Sequence, residues 1–335
     1  MADEKTIYRM KTPSGDPVRV EEAWKDANGE LLTEKVNKAD AQTITGLKTF
    51  STLPQSSATP SDDKDLATKK YSDDLWATRK AQEEKCYQAL KTVTKDFTRT
   101  DPVYVRIGDD GEPEIHYTIA EKKSGAAMFI GYNLDNCTFY LHGGANLTSA
   151  FAMFQGAGLK RIIVDSFANC DSVAQSLCHL GSSAREGLTK EIKVLDPTLN
   201  YGKEYGFSYI FFGQVAITEL PMLDFSKMSG NQSEPFANCL KVKVMPAYDF
   251  TNVTKITNFT YRMFALERIE ATGIKWSFDI SSTAMAHDGI LYLFQNGLST
   301  VSKDDGITLT LGSGKLALMS DEEKAIATGK GWVLA

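Results

Sequence analysis

Residues 217–245 read ITELPMLDFSKMSGNQSEPFANCLKVKVM, and residues 249–271 read DFTNVTKITNFTYRMFALERIEA. Each holds an Asp-Phe-Ser/Thr step, Asp224-Phe225-Ser226 and Asp249-Phe250-Thr251, and each ends in a short alternating stretch, Leu240–Met245 and Leu266–Ala271. Self-similarity at a recurring interval is the sequence mark of a repeat architecture. Working outward, Phe167-Ala168-Asn169-Cys170 returns as Phe236-Ala237-Asn238-Cys239. A Phe followed by a small residue and then Leu appears at Phe154…Leu159, Phe236…Leu240, Phe264…Leu266 and Phe294…Leu298. Short strands are predicted at 159–164, 191–195, 217–223, 240–245, 266–271 and 307–311. Aligned on Ile162, Ile192, Leu220, Val242, Ile269 and Ile307, they lie 22 to 38 residues apart.

The physics of such an arrangement is that each strand brings an inward Leu, Ile or Val that it cannot bury alone. Stacking closes the core and leaves a broad outer surface. The shorter spacings fit leucine-rich repeats of about 20–29 residues, and the longer ones require insertions. The stretch 217–298 resembles leucine-rich repeats of the BspA type, whose pattern joins a D-x-S/T element to M-F and F-x-x-C elements. Asp224-Phe225-Ser226 and Asp249-Phe250-Thr251 match the first element, Met263-Phe264 the second, and Phe236 with Cys239 the third. The ending ITLTLGSGKLALMSDEEKAIATGKGWVLA (307–335) is similar to tails of phage and prophage surface proteins that carry these repeats. The resemblance implies a β-rich, irregular leucine-rich-repeat-like solenoid, with the Phe and Cys residues as its internal spine. An irregular α/β domain without true repeats is the alternative. Ser320-Asp321-Glu322-Glu323 reads as a capping box opening a short terminal helix. Gly329 is placed to end it, and Gly331–Leu334 to form a last strand.

The N-terminal part is leaner. Residues 1–40 are polar, with turns at Pro13–Gly15 and a hairpin tip at Asn28-Gly29. Thr43–Phe50 alternates as a short strand, and Ser56–Ser61 forms a Ser/Thr/Pro loop. From Asp62 to Phe97 there is no Gly or Pro, and acids cluster at the start, so one long helix is predicted. Taking Leu66 as heptad position a places Trp76, Tyr87 and Leu90 on a/d sites, together with Lys69, Asp73, Lys80 and Glu83. Such a helix buries too little to fold alone. Its support is either a partner helix or the surface of the C-terminal domain. The segment Gln42–Asp74 resembles one found in bacteriophage tail fibre and related virion proteins. In those, a T-I-T-G-x-K-T-F strand runs through a Pro-containing loop into an N-K-x-Y-V-D-type helix start. Here Thr68 stands for the Asn and Ser72 for the Val. The resemblance implies a homotrimeric stalk or attachment region.

After Phe97 the pattern changes. Val103–Ile107 and Glu114–Ile119 alternate with period two around Asp109-Asp110-Gly111, a hairpin signal. The expected organisation is therefore an α+β chain. It has a virion-attachment arm with short strands (1–60), a long helical, coiled-coil-like oligomerisation stalk (61–98) and a repeat-built head (99–335).

The 335 residues are 42% hydrophobic and 24% charged, with a net charge of -6. These are the proportions of a globular chain, and they give no basic face for a nucleic-acid backbone. No apolar h-region opens the chain, and the longest apolar run, Tyr209–Ile217, is far short of a membrane span. Synthesis in a bacterial host's cytoplasm without export by the usual signal is expected. Cys86, Cys137, Cys170, Cys178 and Cys239 show no paired spacing and read as small apolar residues. No phosphate-binding loop, nucleophile elbow or zinc motif occurs. His116, His142, His179 and His287 fall in different predicted elements, and His142-Gly143-Gly144 resembles an oxyanion loop only superficially. Asp279, Asp288, Glu267 and Glu270 read as solvated charge, not as a glycosidase pair. Tyr201, Tyr205, Phe207, Tyr209, Phe211 and Phe212, with Trp276 and Phe278, read as core or subunit interface, although aromatic surfaces also suit sugars and proteins.

No catalytic, cofactor-binding or metal residue is assigned, and no cofactor. The expected function is a non-enzymatic phage tail fibre or tail-tip protein that sits on the virion and binds the host cell surface. Expected partners are copies of itself in a homotrimer, other tail or baseplate proteins through the arm, and a host glycan or protein, with no nucleic acid and no membrane insertion. The alternatives are a purely structural virion component, such as a head fibre or baseplate connector, and a glycan hydrolase.

Overall fold

Asp109-Asp110-Gly111 turns the chain as its residue types dictate. Gly111 adopts φ 76° and the flanking strands close into an antiparallel pair. The computed structural model describes residues 8–9, 63–94, 101–180, 189–200 and 205–335, with side chains from residue 73 onward. The expected arm, its Asn28-Gly29 tip, the 43–50 strand, the 56–61 loop and Tyr201 lie outside the described residues, apart from 8–9.

The elements in chain order are β1 (Tyr8–Arg9), α1 (Asp63–Val93), β2 (Val103–Ile107), β3 (Pro113–Thr118), β4 (Lys123–Ser124), β5 (Asn133–His142), β6 (Leu147–Ser149), β7 (Gly158–Ser166) and β8 (Glu191–Asp196). There follow β9 (Gly230–Ser233), β10 (Val244–Met245), β11 (Val253–Thr257), β12 (Arg268–Ile269), β13 (Phe278–Asp279), α2 (His287–Tyr292), β14 (Thr308–Thr310), α3 (Ser313–Leu316), α4 (Asp321–Gly329) and β15 (Val333–Leu334). The largest sheet has six strands in the order β1-β2-β3-β5-β7-β8, with β3 to β8 parallel. Period-two alternation assigns its faces. Val105, Ile115, Phe139, Ile162 and Ile192 stand opposite one another on the buried face. Tyr104, His116, Tyr140, Ile163 and Lys193 form a row on the other. Beyond Pro197 the sheets shrink to the parallel pairs β9–β11 and β10–β12 and the parallel trio β13-β14-β15.

Coils, more than sheets, stack the molecule. Ala127, Ala152, Gln175, Tyr209, Glu234 and Asn258 all have positive φ, at intervals of 25, 23, 34, 25 and 24 residues. Four residues after each comes a second left-handed residue: Gly131, Gly156, His179, Gly213, Asn238 and Arg262. Each first-column amide except the last donates to the next coil: Ala127 to Phe151 O, Ala152 to Ala174 O, Gln175 to Ser208 O, Tyr209 to Ser233 O and Glu234 to Thr257 O, at 2.8–3.0 Å. The residue two places on points inward, giving a spine of Phe129, Phe154, Leu177, Phe211, Phe236 and Thr260. A second corner recurs where a carboxylate caps its own turn. Asp196, Asp224, Asp249 and Asp279 accept the amides of Thr198, Ser226, Thr251 and Ser281 at 2.7–3.1 Å.

The expected fold is corrected in two respects. First, no coiled-coil stalk is present among the described residues. The one buried stripe of α1, Cys86, Ala89 and Val93, packs on β2, β3 and β5 of the same chain, and the remaining described α-helices have four to nine residues. The weak heptad fails because Leu75, Trp76 and Tyr87 stay more than half exposed. Second, the leucine ladder of a leucine-rich-repeat-like solenoid gives way to a mostly aromatic spine behind a six-stranded mixed sheet. The expected strand at 217–223 is irregular coil, in keeping with Pro221, which has no amide to donate to a ladder. The two Phe-Ala-Asn-Cys copies do not occupy equivalent places. Asn238 is a left-handed turn residue, whereas Phe167–Cys170 follows the end of β7.

The last elements, α4 and β15, pack on the elements before them. Ser320 and Glu323 form the expected capping box, and β15 pairs with β14. Lys330 Nζ donates to the carbonyls of Phe294, Gln295 and Leu298 at 2.7, 3.0 and 2.9 Å, gathering the end of a π-helical turn (Leu293–Gly297) under α4.

Candidate functional site

The aromatic run 205–212 divides by its place in the turn. Phe207 and Phe211 are fully buried, whereas Tyr205 is 52% exposed and Tyr209 and Phe212 are half-buried. His179 reaches the same spot from the preceding coil. Its amide donates to Phe212 O at 2.8 Å and its ring lies 4.8 Å from that of Phe212, which lies 5.6 Å from that of Tyr209. The Tyr209 and Phe212 rings and the His179 imidazole thus form one outer patch across two coils, with Tyr205 exposed four residues before Tyr209. Desolvation holds the His179 imidazole below its usual range, so the patch is uncharged at neutral pH.

The backbone beneath the patch is strained. Tyr205 and Tyr209 both have φ 59°, Gln175 φ 56° and His179 φ 50°. A left-handed L-residue costs roughly 1–2 kcal/mol, which Gly avoids at places equivalent to His179. Gly131, Gly156 and Gly213 fill three of the six second-column positions. Non-glycine residues take this conformation in every turn of the stack, so what distinguishes this turn is the aromatic side chains it carries outward. These aromatics are expected from the sequence to be core or subunit interface, whereas Tyr205, Tyr209 and Phe212 turn outward. The alternation of 205, 207, 209 and 211 was the signal that separates them.

The histidines are not all isolated. The parallel crossover from β3 to β5 brings His116 Nδ1 to 3.0 Å from His142 Nε2. His116 is sandwiched between Tyr104 and Tyr140, with centroids 4.5 and 4.4 Å away and rings within 4° of parallel. The stack covers the ring faces, so it is a cross-strand support and not an open binding surface. Burial first, then the nearby Arg106 and His142 charges, push the His116 imidazole down to about 4. His287 links α2 to α4 instead, between Asp288 (2.8 Å) and Glu323 (2.9 Å).

The remaining candidates have structural partners. Glu267 pairs with Lys243 at 2.8 Å, Glu270 with Arg268 at 3.2 Å, Asp288 with His287, and Asp279 caps its own turn. The amides of Gly143 and Gly144, which an oxyanion would need, are taken by the Asp165 carboxylate at 2.6 and 2.8 Å. All five cysteines are buried free thiols. Burial raises Cys86 to about 11 and Cys137, Cys170, Cys178 and Cys239 to about 12, which keeps them protonated. Trp276 and Phe278 belong to the core. Among the described residues no group of three His, Cys, Asp or Glu side chains is placed to hold a metal, and no helix is long and apolar enough to cross a membrane.

In comparisons with known proteins, no family model matches the chain, and no curated protein or solved structure does either.

Proposed function

We propose that this chain is a non-enzymatic recognition protein of the phage-fibre type, and that it attaches to a host cell surface through the turn face of its stacked coils. The observation that carries the binding role is the outward-facing, uncharged group of Tyr205, Tyr209, Phe212 and His179. Aromatic side chains give large contact area at low conformational cost, which suits an adhesive face. The virion setting rests on the resemblance of Gln42–Asp74 to tail-fibre segments. Homotrimeric assembly belongs to this reading, and a solution mass measurement of the full chain tests it.

Attachment of this kind is passive. A weak contact per head becomes strong when several heads engage one cell, because the later contacts form at high effective concentration. The test is binding of labelled full-length protein to a panel of bacterial strains, and competition with phage adsorption on any strain bound. The triple variant Tyr205→Ala, Tyr209→Ala, Phe212→Ala is expected to lose binding with the fold retained. Failure to bind any susceptible strain overturns the attachment role and leaves a structural virion component. Release of sugar from the cells points to a hydrolase.

A further inference from the structure

The turn ladder stops before its bonds are used up. In the coils before the last, the first-column amides donate forward, and so do the second-column amides: Gly131 to Gln155 O, Gly156 to Cys178 O, His179 to Phe212 O, Gly213 to Ala237 O and Asn238 to Tyr261 O. At the last turn, among the described residues, no carbonyl accepts the amides of Asn258 or Arg262. Only the middle rung continues, where the Thr260 hydroxyl donates to Asp279 O.

Beyond that rung the chain splays and leaves a cleft of about 350 Å³. One wall is the unfinished turn, Asn258 to Tyr261, and the other is β13 and β14 with Ser277, Ser282, Thr308 and Thr310. Its walls are hydroxyl-rich, and Tyr261 at its edge is 53% exposed. Asp279 is the one charged residue among those that line it.

We infer that this cleft is a docking site for a short uncharged peptide segment of another protein, whose main-chain carbonyls complete the ladder at Asn258 and Arg262. The argument for a peptide is the pattern of unmade bonds. Wherever the ladder is complete, the acceptors are backbone carbonyls of one turn. The coil over Tyr209 shows the required shape, with Ser233, Pro235 and Ala237 carbonyls accepting from Tyr209, Phe211 and Gly213 at 2.8, 2.9 and 2.9 Å. Addition of a segment to an open backbone edge is an established mode of peptide recognition. The volume suits about three residues, near the lower limit of ordinary ligand pockets of about 300–1,000 Å³. Asp279, the one charge in the lining, disfavours acidic segments, and the Arg262 guanidinium lies over the Phe264 ring. The inference stands apart from the proposed function, since it concerns another end of the stack and holds for any biological setting.

The test uses the full-length protein, amide-resolved NMR and three probes. These are a synthetic peptide copying residues 231–238 with Gln in place of Glu234 (NQSQPFAN), its scrambled version, and the neutral trisaccharide maltotriose. The expected result is saturable shifts of the Asn258 and Arg262 amides with the copy peptide alone. Thr310→Trp and, independently, Ser282→Trp fill the cleft without touching the ladder, and either is expected to weaken the peptide at least about tenfold. Each variant is read only if its spectrum away from the cleft is unchanged. No saturable shift, an equal response to the scrambled peptide, or a response to maltotriose in place of the peptide overturns the inference.

Discussion

Two glycines separate backbone strain from close approach. Gly156 is left-handed, with φ 67°, and a Cβ there would enter open space. Gly144 lies against the Ser166 carbonyl and Asp165 Oδ1, so a Cβ there would collide with main chain. Gly156→Ala is expected to lose about 1 kcal/mol, the left-handed penalty alone. Gly144→Ala must move β7 or break the Asp165 hydrogen bonds, and should lower the urea midpoint considerably further. His116 supplies the pH counterpart. Its folded value of about 4 lies below the ordinary 6.5, so between these values the unfolded chain takes up a proton that the folded chain refuses. Stability is therefore full above 6.5 and falls as the pH drops toward 4, by at most about 3 kcal/mol. His116→Phe keeps a flat ring between Tyr104 and Tyr140 and should flatten that part of the stability–pH curve. An unchanged slope in the variant would assign the titration to another group.

Elements here are fixed by what they touch, and α1 shows it within one helix. Ala89 is buried against the sheet, whereas Leu75 is 58% exposed. Ala89→Arg is expected to lose at least about 2 kcal/mol and Leu75→Arg no more than about 0.5 kcal/mol in thermal or urea unfolding. At the far end Lys330→Met removes the donor shared by three carbonyls, and a loss of about 1–3 kcal/mol is expected. Local chemistry made some elements readable from the sequence. The Asp109–Gly111 hairpin, the Ser320 capping box, the β7, β8 and β14 strands and the Asp-x-Ser/Thr corners at 224 and 249 depend on neighbouring residues alone. The turn columns were hidden because the left-handed positions hold Ala, Gln, Tyr, Glu, Asn, His and Arg as well as Gly. The repeated Phe-Ala-Asn-Cys string misled for the converse reason, with the same letters in two different backbone settings. The His116–His142 contact needed the parallel register of β3 with β5, which no periodicity encodes. Of the candidate patch, the aromatics were visible in the sequence, but their inward and outward division was not.

Contacts in the whole molecule pass from coil to coil, so its cooperativity depends on the weakest junction. Phe129 and Phe154 stack at 5.1 Å in the first part of the spine. From Phe207 a second chain of ring contacts runs through Phe225, Phe250, Phe259 and Phe278 to Trp332, with centroids 4.4–6.0 Å apart. Between these two runs the spine position is Leu177, and the longest interval, 34 residues, falls there. Backbone rungs from Val173, Gln175 and His179 still cross the junction, together with the outer His179–Phe212 ring contact at 4.8 Å, but Leu177 puts no ring into the buried spine there. In stacked architectures each unit is stabilised mainly by its neighbours, so a junction with fewer buried contacts transmits less. Phe129→Ala should lose about 3–5 kcal/mol locally. Hydrogen exchange is then expected to show deprotection across 101–166, with β10 to β15 and α4 keeping most of their protection. Phe250→Ala should give the mirror pattern, deprotecting the C-terminal run and sparing β2 to β7. Uniform deprotection in both variants would mean that the backbone rungs alone couple the two runs, and that the molecule unfolds as one unit despite the break in its spine.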